Sequence, residues 1–344
     1  MNRQHRGPRS ALFAALCAAL MANPPNAPAA PGFDASAQEL QWVLRHLIDW
    51  LPGDWSSAPQ LEFERTVRVP VEGEHDDWYR SFALIKAPQV GDIVFYGQIN
   101  VGGPNGPLLP GSQVLYKTWI DEKRGAVVIN GQGPADAQKF VDLQRHPQLW
   151  SSVHMRSADS IRCDFIWRRR GAEIFGVLDG KNAETRKNGP GTCSYLSERT
   201  GAEFQADAEW VLGPEEFWLY DINLMGGRIF IGREDRTHTR LYRVRNYLCE
   251  VRDATGRRSV AAYDRGYTGE LRGKAGESVQ WRLLRAEYPA NDSRGLTDML
   301  RLTLRTTVAD KVLTLASSEA DPLAGRIALR AAPQGVKIEC ELQR

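Results

Sequence analysis

The segment Cys163-Asp-Phe-Ile-Trp-Arg-Arg-Arg-Gly-Ala-Glu-Ile-Phe-Gly176 decides the fold class of this chain. In its first half, Phe165 and Trp167 are apolar, whereas Asp164 and Arg168 are charged. Alternation with a period of two is typical of a β-strand that has one buried and one solvated face. A second run with strand character begins at residue 173, so the segment predicts two strands in succession.

Runs of this kind recur along the chain and are separated by turn signals such as Gly102-Gly103-Pro104-Asn105-Gly106. Many short strands with few helices between them exclude a parallel, doubly wound sheet. The chain is therefore predicted to be all-β, with one or two short helices, and to form an antiparallel barrel or sandwich. Besides residues 93–99 and the segment above, the predicted strands before residue 250 are 62–70, 78–86, 112–120, 126–130, 192–197, 207–212, 216–221, 228–232 and 240–250.

One helix is well signalled near the N-terminus. Ser36-Ala37-Gln38-Glu39 is a capping box, in which the serine hydroxyl and the glutamate carboxylate satisfy reciprocal backbone donors. An apolar stripe follows at helical spacing, and Pro52-Gly53 ends it. The stripe consists of Leu40, Val43, Leu44, Leu47 and Leu51. A second, shorter helix is predicted from Asp136 to Arg145.

Residues 1–29 have the composition of a signal peptide. Three arginines precede the apolar run 11–22, and small residues follow at Ala27 and Ala29. The run is shorter than the roughly 20 apolar residues that span a bilayer. We therefore expect cleavage near Ala29 and a periplasmic or secreted protein without a transmembrane segment.

The charge balance argues against a nucleic-acid partner. The chain has 44 basic and 42 acidic residues, and the leader contains three of the arginines and no acid. Removal of the leader leaves 41 basic against 42 acidic residues. A chain without a basic excess lacks the electrostatic footprint of nucleic-acid binding.

Four cysteines remain after the leader, namely Cys163, Cys193, Cys249 and Cys340. An even number in an exported chain favours disulfides. Their spacing favours the local pairs Cys163–Cys193 and Cys249–Cys340, although four cysteines allow three connectivities. No Cys-x-x-Cys or His-x-x-x-His spacing is present, and no metal site is predicted.

The order of landmarks between residues 38 and 247 resembles that of the CpcT/CpeT family of chromophore lyases, which attach linear tetrapyrroles (bilins) to phycobiliprotein cysteines. The most specific part is the segment 163–176 with the second cysteine at 193. The other matching stretches are Trp50 to Trp55, Val94-Phe95-Tyr96-Gly97-Gln98, Gln113-Val114-Leu115-Tyr116, Ala208-Glu-Trp-Val-Leu and Trp218-Leu-Tyr-Asp221.

The resemblance implies a calycin- or lipocalin-like antiparallel barrel that binds an apolar ligand inside. A linear tetrapyrrole (bilin) is the ligand that the family suggests. Closed barrels of about eight to ten strands hold one small ligand in the lumen. The residues expected to line or plug it are Phe95, Tyr116, Trp119, Phe165 and Trp167, and Arg168 and Arg170 are expected to meet ligand carboxylates at its rim.

Residues 34–247 are thus predicted to form the barrel domain, and 250–344 a smaller C-terminal β-rich domain. The first functional hypothesis is an exported barrel that binds an apolar or tetrapyrrole-like molecule. The alternatives are a bilin lyase that acts on a cysteine of an acceptor protein, with Asp164 or Glu173 as its general acid, and a non-catalytic structural envelope protein.

Overall fold

The structure is a computed structural model that describes residues 36–156, 163–182, 184–186, 191–196, 201–233, 235, 237–289, 295–308 and 311–343. The predicted leader, residues 1–29, lies outside the described residues. Two α-helices and twenty strands are formed within the described ranges, and every strand pairing is antiparallel. The all-β prediction is confirmed.

Helix α1 (Ala37–Trp50) begins where the capping box predicts it. The Ser36 hydroxyl accepts a hydrogen bond from the backbone N–H of Glu39 at 3.2 Å. Leu40, Val43 and Leu47 of the apolar stripe are buried. The helix therefore presents one apolar face to the rest of the protein.

Ten strands close into the predicted barrel. Their order around it is β10, β12, β1, β2, β3, β4, β5, β6, β7 and β9, and pairing of β9 with β10 completes the circle. They are β1 (Gly53–Ser56), β2 (Trp78–Ile85), β3 (Ile93–Val101), β4 (Val114–Asp121), β5 (Ala126–Gln132), β6 (Cys163–Arg170), β7 (Glu173–Gly180), β9 (Glu203–Leu212), β10 (Glu216–Met225) and β12 (Thr239–Arg243). Two further strands, β8 (Thr192–Leu196) and β11 (Arg228–Ile231), pair with β9 and β10 respectively.

Helix α2 (Ala58–Thr66) occupies a region where a strand, 62–70, was predicted, and that prediction is wrong. Pro59 lies in the first turn, where a missing N–H costs the helix nothing. The buried Glu64 carboxylate accepts hydrogen bonds from the backbone N–H of His75, at 2.9 Å, and from its imidazole. Tertiary contacts of this kind override the weak strand character of the sequence.

The predicted helix from Asp136 to Arg145 is wrong in the opposite sense, because only two short 3-10 turns form there, Gln138–Phe140 and Leu143–Arg145. Asp142 between them adopts a left-handed conformation with φ of 53°. Its backbone N–H donates to Gln98 Oε1 at 3.0 Å, and its carboxylate accepts from Gln98 Nε2 at 2.6 Å. These bonds to β3 hold the chain out of a helical path.

The C-terminal part forms two four-stranded sheets that share one apolar core. One sheet has the order β14, β13, β20, β19 and the other β15, β16, β17, β18. The strands are β13 (Asn246–Asp253), β14 (Gly256–Tyr263), β15 (Arg265–Arg272), β16 (Ser278–Pro289), β17 (Leu296–Val308), β18 (Lys311–Ala320), β19 (Arg326–Ala331) and β20 (Val336–Leu342). The independence of residues 250–344 as a folding unit stays a prediction.

Both favoured cysteine pairs are joined as disulfides, Cys163–Cys193 and Cys249–Cys340. The second pair links directly opposed residues of β13 and β20, the first and last strands of the C-terminal part. Two disulfides fit an oxidising environment.

Candidate functional site

One end of the barrel is filled by helix α1. Its buried Val43 and Leu47 join Leu51 and the fully buried Trp55 and Trp167 in a single cluster. The helix contacts β4, β5, β6 and β7. This half of the lumen is therefore a packed apolar core.

The other half of the lumen holds a cavity of about 570 Å³. Small-molecule sites enclose roughly 300–1,000 Å³, so the volume suits one ligand. Its wall is mainly aromatic and aliphatic, and its apolar lining residues include Trp78, Ile99, Val114, Tyr116, Ile129, Phe165, Leu178, Tyr195, Phe204, Trp210 and Leu219. An apolar, flat molecule is the kind of ligand that such a wall accommodates.

Two opposite charges, Arg80 on β2 and Asp221 on β10, also face the cavity. The Arg80 guanidinium stacks at 4.9 Å from the ring centroid of Trp210 and at 5.3 Å from that of Phe82. It also opposes the effect of burial, which raises the pKa of the Tyr116 hydroxyl. In the described part of the chain, no carboxylate comes within 4.0 Å of Arg80. The cation is thus held by aromatic faces and leaves donors for a ligand.

Burial raises the pKa of Asp221 to about 6, and Asp207 adds to the rise, whereas Arg80 and a hydrogen bond from Asn223 oppose it. The Asn223 amide donates to the Asp221 carboxylate at 2.8 Å. The Asp221 side chain lies on the cavity wall and is exposed to solvent there, although many protein atoms surround it. Asp221 therefore changes its charge near neutral pH inside an apolar lumen.

Two glycines on the neighbouring strands β3 and β5 leave room for the ring of Tyr116 on β4. A Cβ added to Gly97 on β3 would lie 3.0 Å from the Tyr116 ring, and one added to Gly131 on β5 would lie at the same distance. Any side chain at either position would displace the ring. The two glycines therefore position the phenol beside Arg80.

The Cys163–Cys193 disulfide lies beside the cavity, since Cys163 is part of the wall. It joins β6 to β8, and Cys193 pairs with Ala206, another wall residue, on β9. Both sulfurs are committed to the bond, so neither of these cysteines supplies a free thiol for a ligand. The disulfide braces the wall of the cavity.

The residues predicted to meet a ligand fall into three groups. Tyr116 and Phe165 line the cavity. Phe95 and Trp167 also point into the barrel, but they belong to its filled half and are fully buried. Trp119, Arg168 and Arg170 lie on the outer face.

Strand alternation explains the third group. Trp119 is three positions from the inward-facing Tyr116, so it points outward and packs against Val128 and Ile166. Arg168 donates to the backbone carbonyl of Arg124 at 3.0 Å, and the Arg170 guanidinium lies 4.4 Å from the Phe175 ring centroid. The structure does not bring these three residues to the cavity.

The two predicted general acids are also remote from the cavity. Asp164 is buried on the outer face, where it accepts hydrogen bonds from Arg124 Nη1 at 2.9 Å and Asn130 Nδ2 at 2.8 Å. Glu173 is exposed at the start of β7, near the end closed by α1. Neither carboxylate faces a ligand in the lumen.

Sequence reasoning missed Arg80 and Asp221. The signal for Arg80 is its position in β2, because Trp78, Arg80 and Phe82 alternate in one phase and share the inward face. A charged residue in the apolar phase of a strand indicates either a buried ion pair or a ligand site. Asp221 carries a weaker signal, since its strand neighbours at two-residue spacing are Leu219 and the polar Asn223.

No group of three or more His, Cys, Asp or Glu side chains placed to hold a metal ion occurs among the described residues. Within the same ranges, none of the helices has the length and apolar character needed to cross a bilayer.

No family model matches the sequence, and no curated protein matches it. Among solved structures, the chain is similar to the CRL protein of Arabidopsis, with 13% identity and a TM-score of 0.40. The similarity covers 59% of this chain and 96% of the other. The closed barrel described above follows from the pairing of this chain's own strands.

Proposed function

We propose that this protein is an exported barrel of the CpcT/CpeT type that binds an apolar, linear-tetrapyrrole-like molecule carrying a carboxylate. The observation that supports the proposal is a cavity of about 570 Å³ with aromatic walls and an arginine that has no carboxylate within 4.0 Å among the described residues. The two disulfides support a periplasmic or secreted location.

Arg80 would bind the carboxylate of the ligand. Stacking on Trp210 and Phe82 fixes the plane of its guanidinium and leaves N–H groups at the edge of that plane for a bidentate carboxylate. Charge-assisted hydrogen bonds are stronger in a water-poor cavity than at the surface. The aromatic wall would hold the conjugated body of the ligand.

Titration with biliverdin, a linear tetrapyrrole with two carboxylates, tests the proposal. Binding in the lumen should quench the fluorescence of Trp78 and Trp210 and shift the visible absorbance of the ligand. Arg80→Gln should weaken binding about tenfold or more, because a hydrogen bond to a charged group contributes about 1.5–3 kcal/mol.

Arg170→Gln is the matched control, since Arg170 lies on the outer face and should leave the affinity unchanged. Equal losses from the two substitutions, or no binding by the wild type, would refute a lumen site anchored by Arg80. Native mass spectrometry of the protein purified from its own host would then show whether the barrel carries another apolar molecule.

The position of Asp221 at the cavity and its raised pKa favour bilin transfer as a second function. Addition of a cysteine thiol to an exocyclic double bond of the bilin forms a C–S bond and needs a proton for the neighbouring carbon. A carboxyl group with a pKa of about 6 that faces the cavity is a suitable donor. Transfer of bilin to an apo-phycobiliprotein subunit by the wild type, and its loss in Asp221→Asn with binding retained, would establish this activity; transfer by neither would exclude it for that acceptor.

A further inference from the structure

A second cavity, of about 490 Å³, adjoins the cavity of the lumen. Leu109 and Pro110, in the loop between β3 and β4, line both cavities. The Leu109 backbone N–H donates to the Ile99 carbonyl at 2.8 Å, which holds this loop against β3. The other residues common to the two walls are Trp78, Leu219 and Asp221. The shared wall places the second cavity within reach of a lumen ligand that extends past the loop.

The second cavity is acidic. Two carboxylates line it, that of Asp76 just before β2 and that of Asp221 on the shared wall. In the described ranges, neither has a cationic side chain within 4.0 Å. Arg233 also lines the cavity, but Asp235 pairs with its guanidinium at 2.6 Å, and two backbone carbonyls accept further hydrogen bonds from it. The charge of Arg233 is therefore balanced by Asp235, whereas the two lining carboxylates have no such partner.

Thr239 on β12 gives a second, independent indication of a polar ligand group. It lies directly opposite Leu219 of β10, so both side chains share the inner face of the barrel. Thr239 is only 7% exposed and lines the second cavity. In the part of the chain that the structure describes, its hydroxyl has no hydrogen-bond partner, although buried polar groups are normally paired. A hydrogen-bonding group of a ligand would satisfy this hydroxyl.

We propose that the second cavity is a subsite for a cationic nitrogen group of the lumen ligand, such as a primary ammonium. The inference rests on the proposed lumen site, in which Arg80 binds the carboxylate of the same ligand. An ammonium group has three N–H donors and no acceptor, which suits two carboxylates and a hydroxyl. A carboxylate in this position would instead meet like charges. The two cavities thus select a ligand that carries both signs of charge on an apolar body.

Three probes that differ only in one terminal group test the subsite. They are 12-aminododecanoic acid, 12-hydroxydodecanoic acid and dodecanedioic acid, each with a carboxylate at the other end for Arg80. Isothermal titration calorimetry of the full protein at about pH 8 keeps Asp221 ionised, because its pKa of about 6 is lower. The amino probe should bind at least about tenfold tighter than the diacid, with the hydroxy probe between them.

The outcomes of this titration separate the subsite from the lumen site. Equal affinities for the three probes would overturn the subsite and leave the lumen site in place. If no probe binds, the subsite is likewise overturned, and the biliverdin titration decides separately whether the lumen site stands.

Asp76→Asn tests the charge of the second cavity without touching the lumen. It should reduce the preference for the amino probe over the hydroxy probe about threefold to fivefold, as expected for a solvent-exposed ion pair. Asp92→Asn is the matched control, since Asp92 is an exposed aspartate just before β3, at the other end of the β2–β3 pair. The same preference in both variants would contradict a role for Asp76.

Thr239→Val tests the hydroxyl separately from the charges, because it keeps the shape of the side chain. The variant should bind the amino and hydroxy probes more weakly than the wild type does, with an unchanged melting temperature. Wild-type affinity for both probes would remove Thr239 from the subsite and with it the second indication on which the proposal depends.

Discussion

Leu47→Ala tests the role of helix α1 as the plug of the barrel. The Leu47 side chain is 0% exposed and packs with Trp55, Trp167 and Phe95 in the filled half of the lumen. Truncation of a buried leucine costs about 2–5 kcal/mol, and the cost rises with the volume of the cavity that remains. Hydrogen-bonded barrel walls cannot move inward to fill the space, so we expect a loss in the upper part of the range, about 3–5 kcal/mol.

The expected loss is large enough to measure in two ways. Urea denaturation followed by tryptophan fluorescence should give a lower midpoint with an unchanged slope. The compact unit Ala35–Arg344, roughly 310 residues long, has an unfolding entropy of about 0.65 kcal/mol/K, so the melting temperature should fall by about 5–8 °C.

Gln41→Ala is the control for helix propensity, because Gln41 is exposed on the same helix. It should change stability by no more than about 0.5 kcal/mol. A loss below about 1 kcal/mol for Leu47→Ala would contradict the packed plug and would mean that the helix can leave the barrel without cost.

Three further predictions concern one disulfide, the Asp221 carboxyl group on the cavity wall and one glycine. Replacing Cys249 and Cys340 by serine should lower stability by about 4–5 kcal/mol in denaturant titrations, because the bond closes a loop of 91 residues; a loss under 1 kcal/mol would contradict this. The pKa of Asp221 rises to about 6 on folding, so the unfolded chain loses this proton first and the free energy of unfolding should fall between about pH 4 and pH 6. Asp221→Asn should remove that fall, and identical pH profiles would refute the assignment. Gly176→Ala should cost about 1–3 kcal/mol in thermal melts, since the added Cβ would lie 2.7 Å from the Trp167 ring; a wild-type melting temperature would show that the ring has room to move.

Local patterns of the sequence were sufficient for the fold class and for helix α1. The alternation around Phe165 and Trp167 identifies strands because side chains on a strand point to opposite faces in turn. The capping box at Ser36 identifies the helix start because its bonds form within four residues. Such features need no knowledge of the rest of the chain.

The same local patterns were misleading where distant contacts decide the conformation. Asp142 bonds to Gln98, 44 residues earlier in the chain, and this contact breaks a helix that the apolar spacing favours. The Glu64 carboxylate can be buried because it accepts hydrogen bonds from the backbone N–H and the imidazole of His75. Helix α2, which carries Glu64, forms where a strand was predicted.

The ligand cavity depends on tertiary structure in the same way. Closure of the barrel brings Arg80 of β2 next to Trp210 of β9, and it leaves Arg168 and Arg170 outside. Sequence alone gives the period with which side chains alternate along a strand. Which set of side chains points into the barrel, and which groups it contacts there, is decided by strands that come together from distant parts of the chain.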